Sequence, residues 1–288
     1  MVSHGQKIGC AVLLGLVVAA GAVRADASSV LEVTQIDRPS HDSVVVALSP
    51  DELHVYAPFD DGLAVLERDP ATEVHTGIQV VNGGEGGITA LAGPENAIVT
   101  PDGKSVLVSA GDTNALVVFE RAPASGLLTF VEEHVDGVAG VDGLAGPHEI
   151  AVSPDSAFVY VAGLDDDSIA VFARDLVTGA LTFLEAEDAG GDPAVAGVRT
   201  LAMAPDGLHL YVGGEGGQAG FVRDPGTGAL TTLIFSTAGN YRSHAVRVSA
   251  DGANVYYLNH GKPHYLQSKL ETYTRDPGTG ALTGVGPS

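Results

Sequence analysis

The chain has a single cysteine, Cys10, and no tryptophan among its 288 residues. One cysteine excludes an internal disulfide and a thiolate metal cluster. The missing tryptophan removes the Trp-Asp signature of one large repeat family. With aromatics at only 6%, there is also little surface on which sugars or bases would stack. Basic residues are scarce too: 14 Lys and Arg stand against 36 Asp and Glu, a net charge of −22. Such a field repels nucleic acid and anionic lipid surfaces, so neither is an expected partner. No long segment repeats with helical period. The acidic run Asp165-Asp166-Asp167 lacks the spacing of a calcium loop and reads as a solvated turn. His260 and His264 lie four apart in a loop instead of on a helix face, a weak metal signal, and neither a metal nor a cofactor is implied.

What is present divides into residues 1–27 and residues 28–288. In the first part Lys7 supplies a positive start, a run of small and apolar residues follows from Cys10, and Ala25-Asp26-Ala27 has the small-x-small form of a cleavage site. This is a secretory signal, its apolar core is short for a spanning helix, and Cys10 leaves with it. The expected mature chain begins near Ser28 and is periplasmic or secreted, without a membrane anchor.

The second part is a repeat. A turn anchored on Asp51, Asp102, Asp155, Asp206 and Asp251 recurs at intervals of 51, 53, 51 and 45 residues. A second motif keeps step with it: ERDPATEVHT from Glu67, ERAPASGLLT from Glu120, ARDLVTGALT from Ala173, VRDPGTGALT from Val222 and TRDPGTGALT from Thr274. The spacing is that of a four-stranded propeller blade. Each copy holds four short runs rich in Val, Ile, Phe and Tyr, separated by Pro, Gly and Asp, as antiparallel strands are. The expected fold is therefore an all-β propeller of about five repeats in one domain. The segment from Val30 reads as an orphan strand that would pair with the last blade and close the ring.

Repetition also separates framework from function. In an antiparallel pair the start of the first strand lies beside the end of the second, so both face one mouth of the central channel. Seven residues before each anchoring aspartate stand Val44, Glu95, His148, Arg199 and His244; nine residues after it stand Asp60, Gly111, Leu164, Glu215 and His260. Four of the first five are polar, while the interiors of the same strands stay apolar or small. These positions mark either a functional mouth or a wet channel lining without chemistry.

Three segments carry a resemblance to a known family: GPHEIAVSPDSAFVYVAG from Gly146, GVRTLAMAPDGLHLYVGGE from Gly197 and YYLNHG from Tyr256. They resemble motifs of the lactonase-type β-propellers, which include cycloisomerase-type 6-phosphogluconolactonases and carboxy-muconate cyclases and are usually seven-bladed. The resemblance implies His148, Arg199 and Glu215 as catalytic residues, with His260, Glu95 and His244 at the substrate. It implies metal-free opening or isomerisation of a lactone or related cyclic acid. In this chain His260 replaces a family arginine, Val198 and Thr200 flank Arg199 where the family has Pro and His, and Gly214 replaces an asparagine. The alternative is a non-catalytic scaffold that binds a protein or small ligand, to which near-identical motifs such as RDPGTGALT are suited.

The signal yields the first prediction. Intact-mass measurement on exported protein will find a soluble chain starting near Ser28; full-length chain with Met1 in a membrane fraction would contradict it.

Overall fold

The computed structural model describes residues 45–188, 190–238, 241–261 and 268–285. The signal, the Val30 segment, Val44 and His264 lie outside these. The described residues form five four-stranded antiparallel sheets, each with its strands in chain order. Blade one contains β1 (Ala47–Leu48), β2 (His54–Phe59), β3 (Gly62–Arg68) and β4 (His75–Asn82). Blade two contains β5 (Pro94–Val99), β6 (Ser105–Ala110), β7 (Ala115–Arg121) and β8 (Leu128–Val135). Blade three contains β9 (Pro147–Val152), β10 (Phe158–Gly163), β11 (Ser168–Arg174) and β12 (Leu181–Glu187). Blade four contains β13 (Val198–Met203), β14 (His209–Gly214), β15 (Gly217–Arg223) and β16 (Leu230–Ala238). Blade five contains β17 (Tyr241–Val248), β18 (Asn254–Gly261), β19 (Ser268–Arg275) and β20 (Leu282–Gly284).

The hydrophobic core lies between blades. Val159, Val161 and Phe172 of blade three pack on Leu107, Leu116 and Val118 of blade two. The opposite face of blade three, through Tyr160, Ile169 and Val171, packs on Leu201, Leu210 and Phe221 of blade four. A sheet covered on both faces needs apolar residues at every position, which is why β6, β10 and β14 are buried throughout. The end blades expose what the others bury. Val46 is 42% accessible where Ala97, Ile150 and Leu201 are 3%, and Leu270 is 60% accessible where Ile169 and Leu116 are 0%.

The two repeat motifs meet between neighbouring blades. Each anchoring aspartate first closes its own turn: Asp51 Oδ1 accepts from Ser49 Oγ and the Leu53 N–H, and Asp155 does the same with Ser153 and Ala157. It then pairs with the arginine that ends the third strand of the next blade. Arg121 reaches Asp51 at 3.2 Å, Arg174 reaches Asp102 at 2.9 Å, Arg223 reaches Asp155 at 3.7 Å and Arg275 reaches Asp206 at 2.6 Å. All four guanidiniums are buried, and three of them also donate through Nε to a buried tyrosine of the preceding blade: Tyr56, Tyr160 or Tyr211. Those tyrosines in turn donate to the carbonyls of Gly126, Gly228 and Gly280. These glycines have φ of +70 to +79°, and a Cβ on any of them would lie within 2.3 Å of His54, Phe158 or His209. Left-handed backbone and a ring stacked against it both require glycine. Leu107 replaces the tyrosine in blade two, and there Arg174 Nη2 donates to Ser105 Oγ instead.

The fourth strand of the last blade is β20, which pairs with β19 over Tyr273–Arg275; the Val30 segment, expected to pair with that blade, lies outside the described residues. The extensive contacts found join successive blades, and none of that extent joins blade five to blade one among the described residues.

Two predictions follow from the latch. Arg121→Ala leaves Asp51 and Tyr56 without their shared partner and will cost about 3 kcal/mol in denaturant unfolding. Arg68, whose partner is Glu73 of its own turn at 2.7 Å, will cost under about 1 kcal/mol when replaced by alanine. Stability will also fall in two steps with acid. Burial and an adjacent arginine hold the imidazoles of His54 and His209 below their ordinary 6.5. Their contribution is complete above pH 6.5 and is lost as pH falls from there, because the unfolded chain takes up protons that the folded one refuses. Burial alone would raise the Asp51 carboxyl, but its bonds from Ser49, Leu53 and Arg121 prevail and hold it at about 2. That contribution is present above 3.8 and disappears as pH drops toward 2. Melting temperature against pH will show both steps, and changing His54 and His209 to Asn, the residue blade five carries at position 254, will remove the first.

Candidate functional site

At the channel end opposite the latch, the innermost strands of blades two to five share a β-bulge. Register shifts between Pro94 and Asn96, between Val198 and Thr200, and between Ser243 and Ala245, so that Glu95, Arg199 and His244 are the inserted residues. In blade three His148 and Glu149 together face the span between Val161 and Gly163. A bulge inserts one residue and turns its side chain out of the pleat. The four polar residues found at one repeat offset are therefore the bulged residues. In blades two to four a glycine precedes the bulge by two residues, Gly93, Gly146 or Gly197, with φ near +60°. An acidic side chain rides over each: a Cβ on Gly93 would meet Asp112, on Gly146 Asp165, and on Gly197 Glu215, all within 3 Å. The preceding blade fixes two of these glycines, since Asn114 Oδ1 accepts from the Gly146 N–H at 3.0 Å and Asp167 Oδ1 from the Gly197 N–H at 2.5 Å. Ser109 donates to the carbonyl of His148 at 2.6 Å.

The bulged side chains of three successive blades meet. His148 Nε2 lies 3.2 Å from Glu95 Oε2 and 3.0 Å from Arg199 Nη2. A guanidinium only donates, so with the proton on Nδ1 the Nε2 lone pair accepts from Arg199, and once protonated the same nitrogen donates to Glu95. One atom thus has a partner in each protonation state. The other three residues named from the sequence form a second group. Glu215 Oε1 pairs with Arg242 Nη2 at 2.5 Å. Arg242 is the cross-strand partner of His260, and the rings of His260 and His244 lie 4.3 Å apart.

Arg242 escaped the sequence reading, although the repeat contains its signal. It occupies the place that Gly93, Gly146 and Gly197 hold in the other blades, so the last inner strand carries a guanidinium near its start where they have no side chain. Glu149 and Arg247 were also missed. Glu149 accepts from Thr200 Oγ1 and the Leu201 N–H and pairs with Arg247 at 2.8 Å, linking the inner strands of blades three, four and five.

Beside the mouth a cleft of about 320 Å³ is lined by Leu164, Asp165, Asp167, Ala196, Gly197 and Glu215. It shares Glu215 with the second group and is not lined by His148 or Arg199. The run Asp165-Asp166-Asp167 is a turn with Asp165 and Asp167 exposed, as expected, and it also holds loops: Asp167 ties Gly197, and Asp166 accepts from Ala145. Asp166 lies within 4.8 Å of Asp136 and Asp142, and burial, with those like charges, pushes its carboxyl up. Among the described residues no helix is long and apolar enough to cross a membrane.

The fold recurs in solved structures. The periplasmic gluconolactonase of Pseudomonas aeruginosa superposes with a TM-score of 0.65 at 20% identity, over 86% of this chain and 73% of that one. A putative 6-phosphogluconolactonase of Bacteroides fragilis gives 0.64 at 18%, over 83% and 68%. Hydrazine synthase of Kuenenia stuttgartiensis gives 0.58 at 16%, over 86% and 68%, so the architecture by itself does not select a reaction. No curated protein matches the chain in sequence. Residues 135–243, which contain His148, Arg199, Glu215 and Arg242, match the family described as Lactonase, 7-bladed beta-propeller, and the resemblance of this chain to the lactonase-type propellers is thereby borne out.

Proposed function

We propose that this protein is an exported lactonase that opens a lactone or related cyclic ester at the mouth formed by Glu95, His148 and Arg199. The observation that carries this reading is His148 Nε2, held between a guanidinium and a carboxylate from the two flanking blades. As base, Nε2 takes a proton from the water that attacks the ring carbonyl carbon. The carbonyl oxygen becomes an oxyanion beside Arg199, whose charge stabilises it. The imidazolium, now donating to Glu95, passes its proton to the ring oxygen as the carbon–oxygen bond breaks, and the product is an open hydroxy acid. Glu95 orients the imidazole in this scheme, while Glu215, which the resemblance implies as catalytic, pairs with Arg242. No step requires a metal. Export is supported by the N-terminal signal and by the likeness to a periplasmic gluconolactonase. His260 and His244 line the substrate side.

A panel of aldono- and muconolactones, followed by acid release, will identify a substrate. On it, His148→Ala will lower kcat by about a hundredfold or more, and Arg199→Ala by a comparable factor. Neither change will move the melting temperature appreciably, because both side chains are half-exposed at the mouth. Parental turnover by His148→Ala would remove the assignment. A protein inert on every lactone would leave the scaffold reading.

A further inference from the structure

We propose that Arg242 holds an anionic group of the ligand, a carboxylate or phosphate, and that Glu215 occupies Arg242 until that group displaces it. This deepens the lactonase reading by adding a ligand charge, and it rests on that reading only for the identity of the mouth as a binding site.

Cationic groups are few in this chain, and several have a structural task. Of its 14 Lys and Arg, four arginines are buried in the blade latches and Arg247 is engaged by Glu149. Arg242 has no such place in the blade plan. Its equivalents in three other blades are glycines, so the repeat folds without a side chain there. Gly93, Gly146 and Gly197 also have φ near +60°, whereas Arg242 has no positive φ. Its strand begins one residue earlier, at Tyr241, and is longer than its counterparts: β17 has 8 residues where β5, β9 and β13 have 6. The extra length delivers a guanidinium to the mouth, directly across from His260 and next to the His244 and His260 rings. Arg242, His244 and His260 thus give one side of the opening a set of donors suited to an anion, in a molecule whose overall field is strongly negative.

Glu215 meets one of those donors, Arg242, in the absence of ligand. Its carboxylate lies 2.5 Å from Arg242, with side-chain exposures of 42% for Glu215 and 24% for Arg242. An ion pair this open to water is worth little to stability, and a carboxylate on a guanidinium has the geometry that an incoming carboxylate or phosphate would reproduce. While the ligand is away, Glu215 neutralises Arg242. When the anion arrives, Glu215 must yield, and its own charge then opposes binding. A fixed strut between blades four and five would behave differently, since it would matter to stability and not to anion affinity.

Calorimetry on the full chain with two probes, inorganic phosphate and an open-chain aldonate phosphate, separates these cases without any turnover. Glu215→Gln will bind the aldonate phosphate about fivefold to tenfold tighter than the parent, through loss of a like charge, with an unchanged melting temperature. Arg242→Gln will lose most of that binding, and Arg242→Lys will recover part of it, because an ammonium keeps the charge without the planar fork. Inorganic phosphate will show the same order more weakly. Unchanged or weaker binding by Glu215→Gln, undiminished binding by Arg242→Gln, or no binding of either probe to any variant would each overturn the proposal. Turnover of neutral lactones by a protein that binds neither probe would sink this inference and leave the lactonase reading standing. The predicted order of anion affinities without turnover of any lactone would do the reverse.

Discussion

The buried arginine between blades is the interaction on which the rest depends. A blade is a small sheet with two apolar faces, and apolar packing alone does not fix how one sheet sits on the next. The guanidinium does. Arg275, for example, donates to Tyr211 of the preceding blade and to the Gly252 carbonyl of its own, and pairs with Asp206 across the interface. Each group would be costly to bury alone, so the network is satisfied in one relative placement of the sheets. The aspartate is shared with the turn that starts the second strand, and blade geometry and inter-blade geometry are therefore set by the same carboxylate.

That constraint acts at one end of the inner strands and leaves the other end open to variation. An inner strand of six residues spans about 20 Å, and its latch end carries the same residue types in nearly every blade. At the far end the bulge recurs while the bulged residue changes from Glu95 to His148 to Arg199 to His244. A rigid base with a variable rim lets a repeat protein assemble unlike side chains at one mouth. The His148 contact with both Glu95 and Arg199 is the result, since three neighbouring blades each contribute one member. The likeness of the fold to a gluconolactonase and to a hydrazine synthase alike shows that the architecture recurs in proteins of different activity.

The end blades show the same logic by exception. Where no described blade follows, Leu270 is exposed at a position buried elsewhere, and where none precedes, Arg68 pairs within its own turn. That turn carries Glu73 at φ +62° where the other blades carry glycine, because no ring from a preceding blade is stacked against it. Blade five departs from the pattern at Arg242, and that departure faces the mouth.

The sequence by itself determined the blade. Its strands, its turns and the positions lining one mouth were legible because each copy is a control for the others, and local chemistry such as Asp at a turn or glycine at positive φ acts over a few residues. It also put His148 and Arg199 at equivalent offsets. Only the tertiary structure decided which of these residues touch. The bulge that aims them has no signature of its own, because it arises where two strands fall out of register. The pairing of Asp51 with Arg121, of His148 with Glu95, and of Glu215 with Arg242 instead of Arg199 joins residues of different blades. Those contacts depend on how one sheet is set against the next, a geometry fixed by the buried latch and by packing across the whole interface, which no single repeat contains.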